Sequence, residues 1–141
     1  MATQAVRSPT TPQDDERRKT IDAYGIFCNA HDFSGMRQFY ASPININDEP
    51  WTPAQVTAQF EPIVAAFPDW HWDFRHLSID GDYIACHFKV TGTHKGEFRG
   101  IKPTGRRITT MQFTLYHLVD GKFVDVWDLT DMDAVMKQIQ D

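Results

Sequence analysis

Basic charge, cysteine and long apolar runs are all scarce in this chain, and each scarcity removes a class of function. With 14 Lys and Arg against 19 Asp and Glu, the net charge is −5. That leaves no basic field to hold a phosphate backbone, so nucleic acid is not an expected partner. No apolar stretch approaches the roughly 18 residues of a membrane span, and none has the apolar core of a signal peptide. A cytoplasmic protein without membrane contact is therefore expected. Cys28 and Cys86, the two cysteines, each lie in an apolar run, which suits buried reduced thiols better than a disulfide framework.

Cofactor signatures are missing too. The histidines at 31, 71, 76, 87, 94 and 117 show no zinc-ligand spacing on one helix and no neighbouring thiol. There is no G-x-G-x-x-G, no G-x-S-x-G elbow and no Cys-His pairing. The run Gly100 to Arg107 departs from a phosphate loop, because Arg106 replaces the lysine, Arg107 replaces the hydroxyl residue and a strand follows. Neither a metal nor an organic cofactor is expected.

What the chain does have is a hairpin. Arg107 to Leu118 reads RITTMQFTLYHL, rich in β-branched and aromatic residues, and Phe123 to Leu129 returns as FVDVWDL. Asp120-Gly121 between such runs is a strong hairpin signal. Alternation puts Thr110, Gln112, Thr114 and Tyr116 on one side and Met111, Phe113, Leu115 and His117 on the other. On the return strand Val124, Val126 and Asp128 share a face, so Asp128 ends an otherwise apolar row. Thr130 and Asp131 already supply a cap for the helix that follows. Asp128 is thereby free for acid/base work.

Upstream, 141 residues suit one domain. Residues 1–14, rich in Ser, Thr, Pro and Gln, read as a disordered tail, and 15–141 as the domain. A helix from Asp15 to His31 carries Ile21, Tyr24, Cys28 and His31 on one face. A short second helix over 34–40 and a brief strand over 43–47 follow. If Ile44 and Ile46 meet the outer packing, Asn45 and Asn47 look into a cavity. Pro53 opens a further helix with the stripe Val56, Phe60, Ile63, Phe67, and Glu61 lies on the rim of that stripe. Strands over 70–79 and 83–92, joined by Asp80-Gly81-Asp82, complete four antiparallel strands before a terminal helix. Glycines at 92, 96, 100 and 105 imply sharp bends. Helices on one face of a strongly curved antiparallel sheet make an α+β cone with a cavity between the layers.

The string Gly92-Thr93-His94-Lys95-Gly96-Glu97-Phe98-Arg99-Gly100 through Pro103-Thr104-Gly105-Arg106 is similar to the SnoaL-like polyketide cyclase family, of the NTF2-like superfamily. Asp120-Gly121-Lys122, Trp127-Asp128, Asp131 and Phe67-Pro68-Asp69 fall in the same order, and the resemblance spans Ile21 to Gln138. It implies a cone-shaped α+β barrel, a small hydrophobic substrate, and a homodimer through the outer sheet face that would bury Phe113, Leu115 and Trp127. Carried over, Asp128 matches the catalytic acid and Gln112 the amide that orients the substrate oxygen. Tyr24, Asn45, Asn47, Phe60, Val64, Thr114 and Tyr116 become candidate substrate contacts. Thr114 stands where ring-closing cyclases can carry His, which shifts the balance from aldol closure toward isomerisation by Asp128 with Glu61 as a catalytic partner. The implied function is a cofactor-independent cyclase or isomerase of polycyclic secondary metabolites. A non-catalytic ligand-binding or assembly module on the same cone is the alternative.

Overall fold

A computed structural model of the chain describes residues 10–140. Its first helix, α1 (Pro12–Asn29), starts where proline's missing N–H costs nothing, behind a capping box in which the Thr11 hydroxyl accepts from the Asp14 amide at 3.0 Å. Residues 12–14, read from sequence as tail, are thus its first turn; residues 1–9 lie outside the described part. The helix buries Ile21, Tyr24, Gly25 and Cys28. A Cβ on Gly25 would lie 2.9 Å from the Phe74 ring, so glycine is what lets α1 settle on the sheet.

After α2 (Phe33–Arg37) come strands β1 (Tyr40–Ile46) and β2 (Glu49–Trp51), then helices α3 (Pro53–Ala58) and α4 (Glu61–Ala66). Strands β3 (His71–Asp80), β4 (Tyr83–Thr93), β5 (Arg107–Val119) and β6 (Lys122–Thr130) precede α5 (Met132–Ile139). The strands form one curved sheet in the order β2-β1-β6-β5-β4-β3. Every pair is antiparallel except β1 with β6, which run parallel.

The long hairpin stands as read. Asp120 and Gly121 take the left-handed φ values of 51° and 76° that a tight turn between twisted strands requires. Ile108, Thr114, Tyr116 and Leu118 are buried, while Met111 and Phe113 are 49% and 54% exposed. A register shift between His117 and Leu118 changes the parity of β6, because Leu118 pairs with Phe123 while His117 pairs with Asp125. Phe123 therefore reaches the core, fully buried, and Val124 is only half-buried. Val126 and Asp128 keep the inward face. Both cysteines are free and buried, and burial pushes each thiol up to about 12.

Two sequence expectations fail here. The single helix from Pro53 is two, interrupted at Gln59 and Phe60, since Pro62 has no N–H to give and its ring would strike the preceding turn. On β1 the faces are reversed: Ile44 and Ile46 are buried and Asn45 is exposed. The parallel pairing of β1 against β6 sets that face, and no local pattern within 43–47 encodes it.

A carboxylate at the neck of the cone

Asp128 sits on β6, a strand paired on both sides, by β1 and by β5. Its side chain has no capping duty, because the α5 N-terminus is capped by Asp131, whose carboxylate accepts from the Ala134 amide at 3.0 Å. Asn47, one residue past β1, holds Asp128 twice. Its amide oxygen accepts from the Asp128 backbone N–H at 3.0 Å, and its NH₂ donates to the Asp128 carboxylate at 3.0 Å. Asn47 reaches it from a left-handed conformation, φ 49°, which asparagine tolerates better than most residues.

Across the pair, Thr114 is in register with Asp128, and Gln112 is two residues along on the same face. The Gln112 side chain can be oriented without ambiguity. Trp72 Nε1 can only donate, and it donates to Gln112 Oε1 at 3.0 Å; Gln112 Nε2 then donates to the Thr114 hydroxyl at 2.9 Å. One N–H of Gln112 is left for another partner.

Two spaces meet at these residues. Inside lies a chamber of about 40 Å³, floored by Tyr24, Tyr40 and Tyr116 and walled by Met36, Val56, Phe74 and Phe88. Outside lies an open mouth of about 320 Å³, lined by Ile63, Trp70, Arg99, Thr130 and Met132. Gln59, Phe60, Trp72, Gln112 and Asp128 border both, so they form the neck between them. Burial drives the phenols of Tyr24, Tyr40 and Tyr116 well above their ordinary range, with the hydroxyls of Tyr24 and Tyr40 2.6 Å apart. The floor is therefore neutral and can donate hydrogen bonds.

The structure brings Gln112, Thr114, Tyr116, Tyr24, Phe60 and Asp128 together around this space. Asn47 joins them through Asp128. Asn45 does not: it faces outward and donates to Asp125 at 3.0 Å. Glu61 is exposed in the first turn of α4, and neither it nor the half-buried Val64 lines the chamber or the mouth. The break at Gln59–Phe60 is the reason, since α4 restarts the helical phase that a continuous helix would have carried from Val56 to Glu61 and Val64. Sequence reasoning missed Trp72, Gln59 and Arg99. Trp72 was findable, because it shares the alternation of Trp70 and Phe74; Arg99 lies in a turn with no periodic signal. Among the described residues no group of three or more His, Cys, Asp or Glu is placed to hold a metal ion.

Comparison with known proteins gives this geometry a setting. Residues 18–139 match the family model of the SnoaL-like polyketide cyclases. The chain is 33% identical over 61 residues to the nogalonic acid methyl ester cyclase of Streptomyces nogalater, a stretch covering 43% of this chain and 46% of that enzyme. It is 34% identical over 58 residues to the aklanonic acid methyl ester cyclase AcmA of Streptomyces galilaeus, covering 41% and 40%. The matched stretch thus spans under half the length of either curated relative. Among solved structures, AclR of Streptomyces galilaeus, described as a candidate hydroxylase, superposes with a TM-score of 0.80 at 28% identity, over 89% of this chain and 96% of that one. A candidate SnoaL-like polyketide cyclase from Jannaschia sp. CCS1 superposes at 0.82 with 19% identity, over 94% and 97%, a likeness of fold.

Proposed function

This chain belongs to the SnoaL-like polyketide cyclase family, and we propose that it is a cofactor-independent acid/base catalyst that closes or isomerises a ring in a polycyclic natural-product intermediate. The observation that carries the proposal is the neck: one carboxylate, Asp128, fixed by Asn47 and facing an oriented amide, Gln112, at the boundary between chamber and mouth.

In ring closure, the Asp128 carboxylate takes a proton from a carbon next to a carbonyl. The spare N–H of Gln112 supports the enolate oxygen that develops. The enolate carbon attacks a second carbonyl of the same molecule, a C–C bond forms, and the new alkoxide recovers the proton from Asp128. In isomerisation the same proton returns to a different carbon. Thr114, where histidine can stand in ring-closing relatives, supplies a neutral hydroxyl, so proton transfer in both directions falls to Asp128. Glu61 lies away from the neck, and the two-carboxylate version of the reaction is set aside. The exposed outer row of Met111, Phe113, Leu115 and Leu129 supports a homodimer through that sheet face. Among the described residues no helix is long and apolar enough to cross a membrane, and we read the site of action as the cytoplasm.

The test is incubation of the purified chain with nogalonic and aklanonic acids, and with their methyl esters, in D₂O. A product of unchanged elemental composition is expected, with deuterium entering the carbon next to the carbonyl through reversible enolate formation ahead of the C–C bond, or through the return of the proton in isomerisation. Asp128→Asn should reduce both by about 10²- to 10⁴-fold. Full activity in that variant would overturn the role of Asp128. A product heavier by one oxygen would favour a hydroxylase, as AclR is described. Binding without exchange or turnover would favour a ligand-binding module.

A further inference from the structure

The chamber, about 40 Å³, is too small for a fused ring system, whereas the mouth, about 320 Å³, reaches the range in which small-molecule sites are found. A polycyclic substrate therefore lies in the mouth, with only its reacting edge at the neck. Of the residues lining the mouth, two are charged: Asp128 and Arg99. Asp128 would repel an anion, and the chain carries a net charge of −5. Arg99 alone offsets that at the site.

Several features fix the backbone that carries Arg99, whose side chain is exposed. It forms a tight turn with Gly100, φ 48° and 83°, closed by mutual backbone hydrogen bonds of 2.9 Å between Phe98 and Ile101. The loop is pinned to the end of α4, where the N–H groups of Lys95 and Gly96 both donate to the Ala66 carbonyl at 2.9 and 3.0 Å. The fully buried His94 braces it from within, its Nδ1 accepting from the Thr104 amide at 3.2 Å. The Arg99 guanidinium lies 5.1 Å from the centre of the Phe98 ring. Among the described residues no carboxylate is within ion-pairing distance of it. A second unmet donor is close at hand: Trp70, 2% exposed and lining the same mouth, has a buried indole N–H without an acceptor among the described residues.

We propose that the mouth selects a planar, carboxylate-bearing substrate, with Arg99 taking the carboxylate while the rings lie against the half-buried Phe60, Ile63 and Met132. The proposal rests on the ring-chemistry reading for the location of the site and adds to it the charge of the substrate. A guanidinium is suited to the task, since its planar fork matches a carboxylate with two parallel N–H donors. Those three side chains supply the apolar surface, and Trp70 and Trp72, buried in the same wall, report its occupancy.

Anthraquinone-2-carboxylate and its methyl ester are suitable probes, read by quenching of tryptophan fluorescence. The carboxylate should bind roughly five- to fiftyfold more tightly than the ester, a preference that shrinks in about 1 M salt. Arg99→Gln should erase the preference and leave ester binding unchanged, and Arg99→Lys should keep part of it. Equal binding of acid and ester by the native chain, no quenching by either, or an equal loss of both in Arg99→Gln would overturn the proposal. Asp128→Asn, in the same titration, should keep the preference and strengthen carboxylate binding, because a like charge is removed. The charge preference is thus read without turnover, and a failure of the catalytic reading leaves this measurement intact.

Discussion

Asn47 makes two hydrogen bonds of 3.0 Å to a single residue, Asp128, one to its backbone and one to its carboxylate. The amide acts as an extra rung of the β1–β6 ladder, continuing the bond from the Asn47 N–H to the Val126 carbonyl at 2.9 Å. Its effect is to fix the direction of the carboxylate rather than its chemistry. Asn47→Ala should therefore lower kcat by about tenfold and leave KM close to native, as expected when a positioning contact is lost. Steady-state kinetics on whichever of acid or ester turns over check this; a rise in KM at constant kcat would make Asn47 a substrate contact instead.

The pinned loop gives a stability prediction. A Cβ at Gly96 would lie 2.5 Å from the Ala65 carbonyl oxygen, a backbone atom that cannot turn aside. Gly96→Ala should cost about 1–3 kcal/mol in urea unfolding. It should also loosen the turn that carries Arg99. An unchanged unfolding midpoint would show that the loop and α4 are not in rigid contact.

How much of this was legible follows from which forces are local. The β5–β6 hairpin and the inward set Gln112, Thr114, Tyr116 and Asp128 could be read, because strand alternation and an Asp-Gly turn act over a few residues. The direction of β1 could not. Whether Ile44 or Asn45 faces the core depends on a parallel partner about 80 residues away, and periodicity alone leaves that choice open. Pro62 is the local signal of the helix break, and the apolar stripe from Val56 to Phe67, which runs across it, hides the change of phase that carries Glu61 and Val64 away from the site. Asn47 was singled out for looking into the cavity, yet it reaches Asp128 through a turn conformation beyond the end of its strand.

Acid should weaken the sheet at one identifiable point. His117 Nδ1 donates to Asp125 at 2.8 Å and Asn45 donates to the same carboxylate at 3.0 Å. These bonds, His117 first, hold the Asp125 carboxyl below its ordinary 3.8. A value depressed in the folded state means a contribution fully present above that ordinary value, which the unfolded chain keeps, and lost as pH falls through the lower folded value. Urea midpoints measured from pH 7 downward should therefore fall below about pH 4 in the native chain, and less steeply in Asp125→Asn. Parallel acid limbs in the two proteins would remove this pair from the account.

The outer sheet face makes the final prediction. Phe113 is 54% exposed and Leu129 75%, on the side away from the cavity. Phe113→Asp should convert a dimer to a monomer in sedimentation, with the far-ultraviolet circular dichroism unchanged. A native chain already monomeric at micromolar concentration would exclude the interface.

The Trp72–Gln112–Thr114 chain has a further consequence. An amide free to rotate could greet either polarity of guest, turning oxygen or nitrogen toward it as needed. Trp72 forbids that rotation, since a flipped Gln112 would set two N–H groups against each other. The neck therefore reads hydrogen-bond polarity like a keyed socket: a ketone or enolate oxygen fits, and an iminium or ammonium group, with hydrogen and no lone pair at the same place, meets a donor and is turned away.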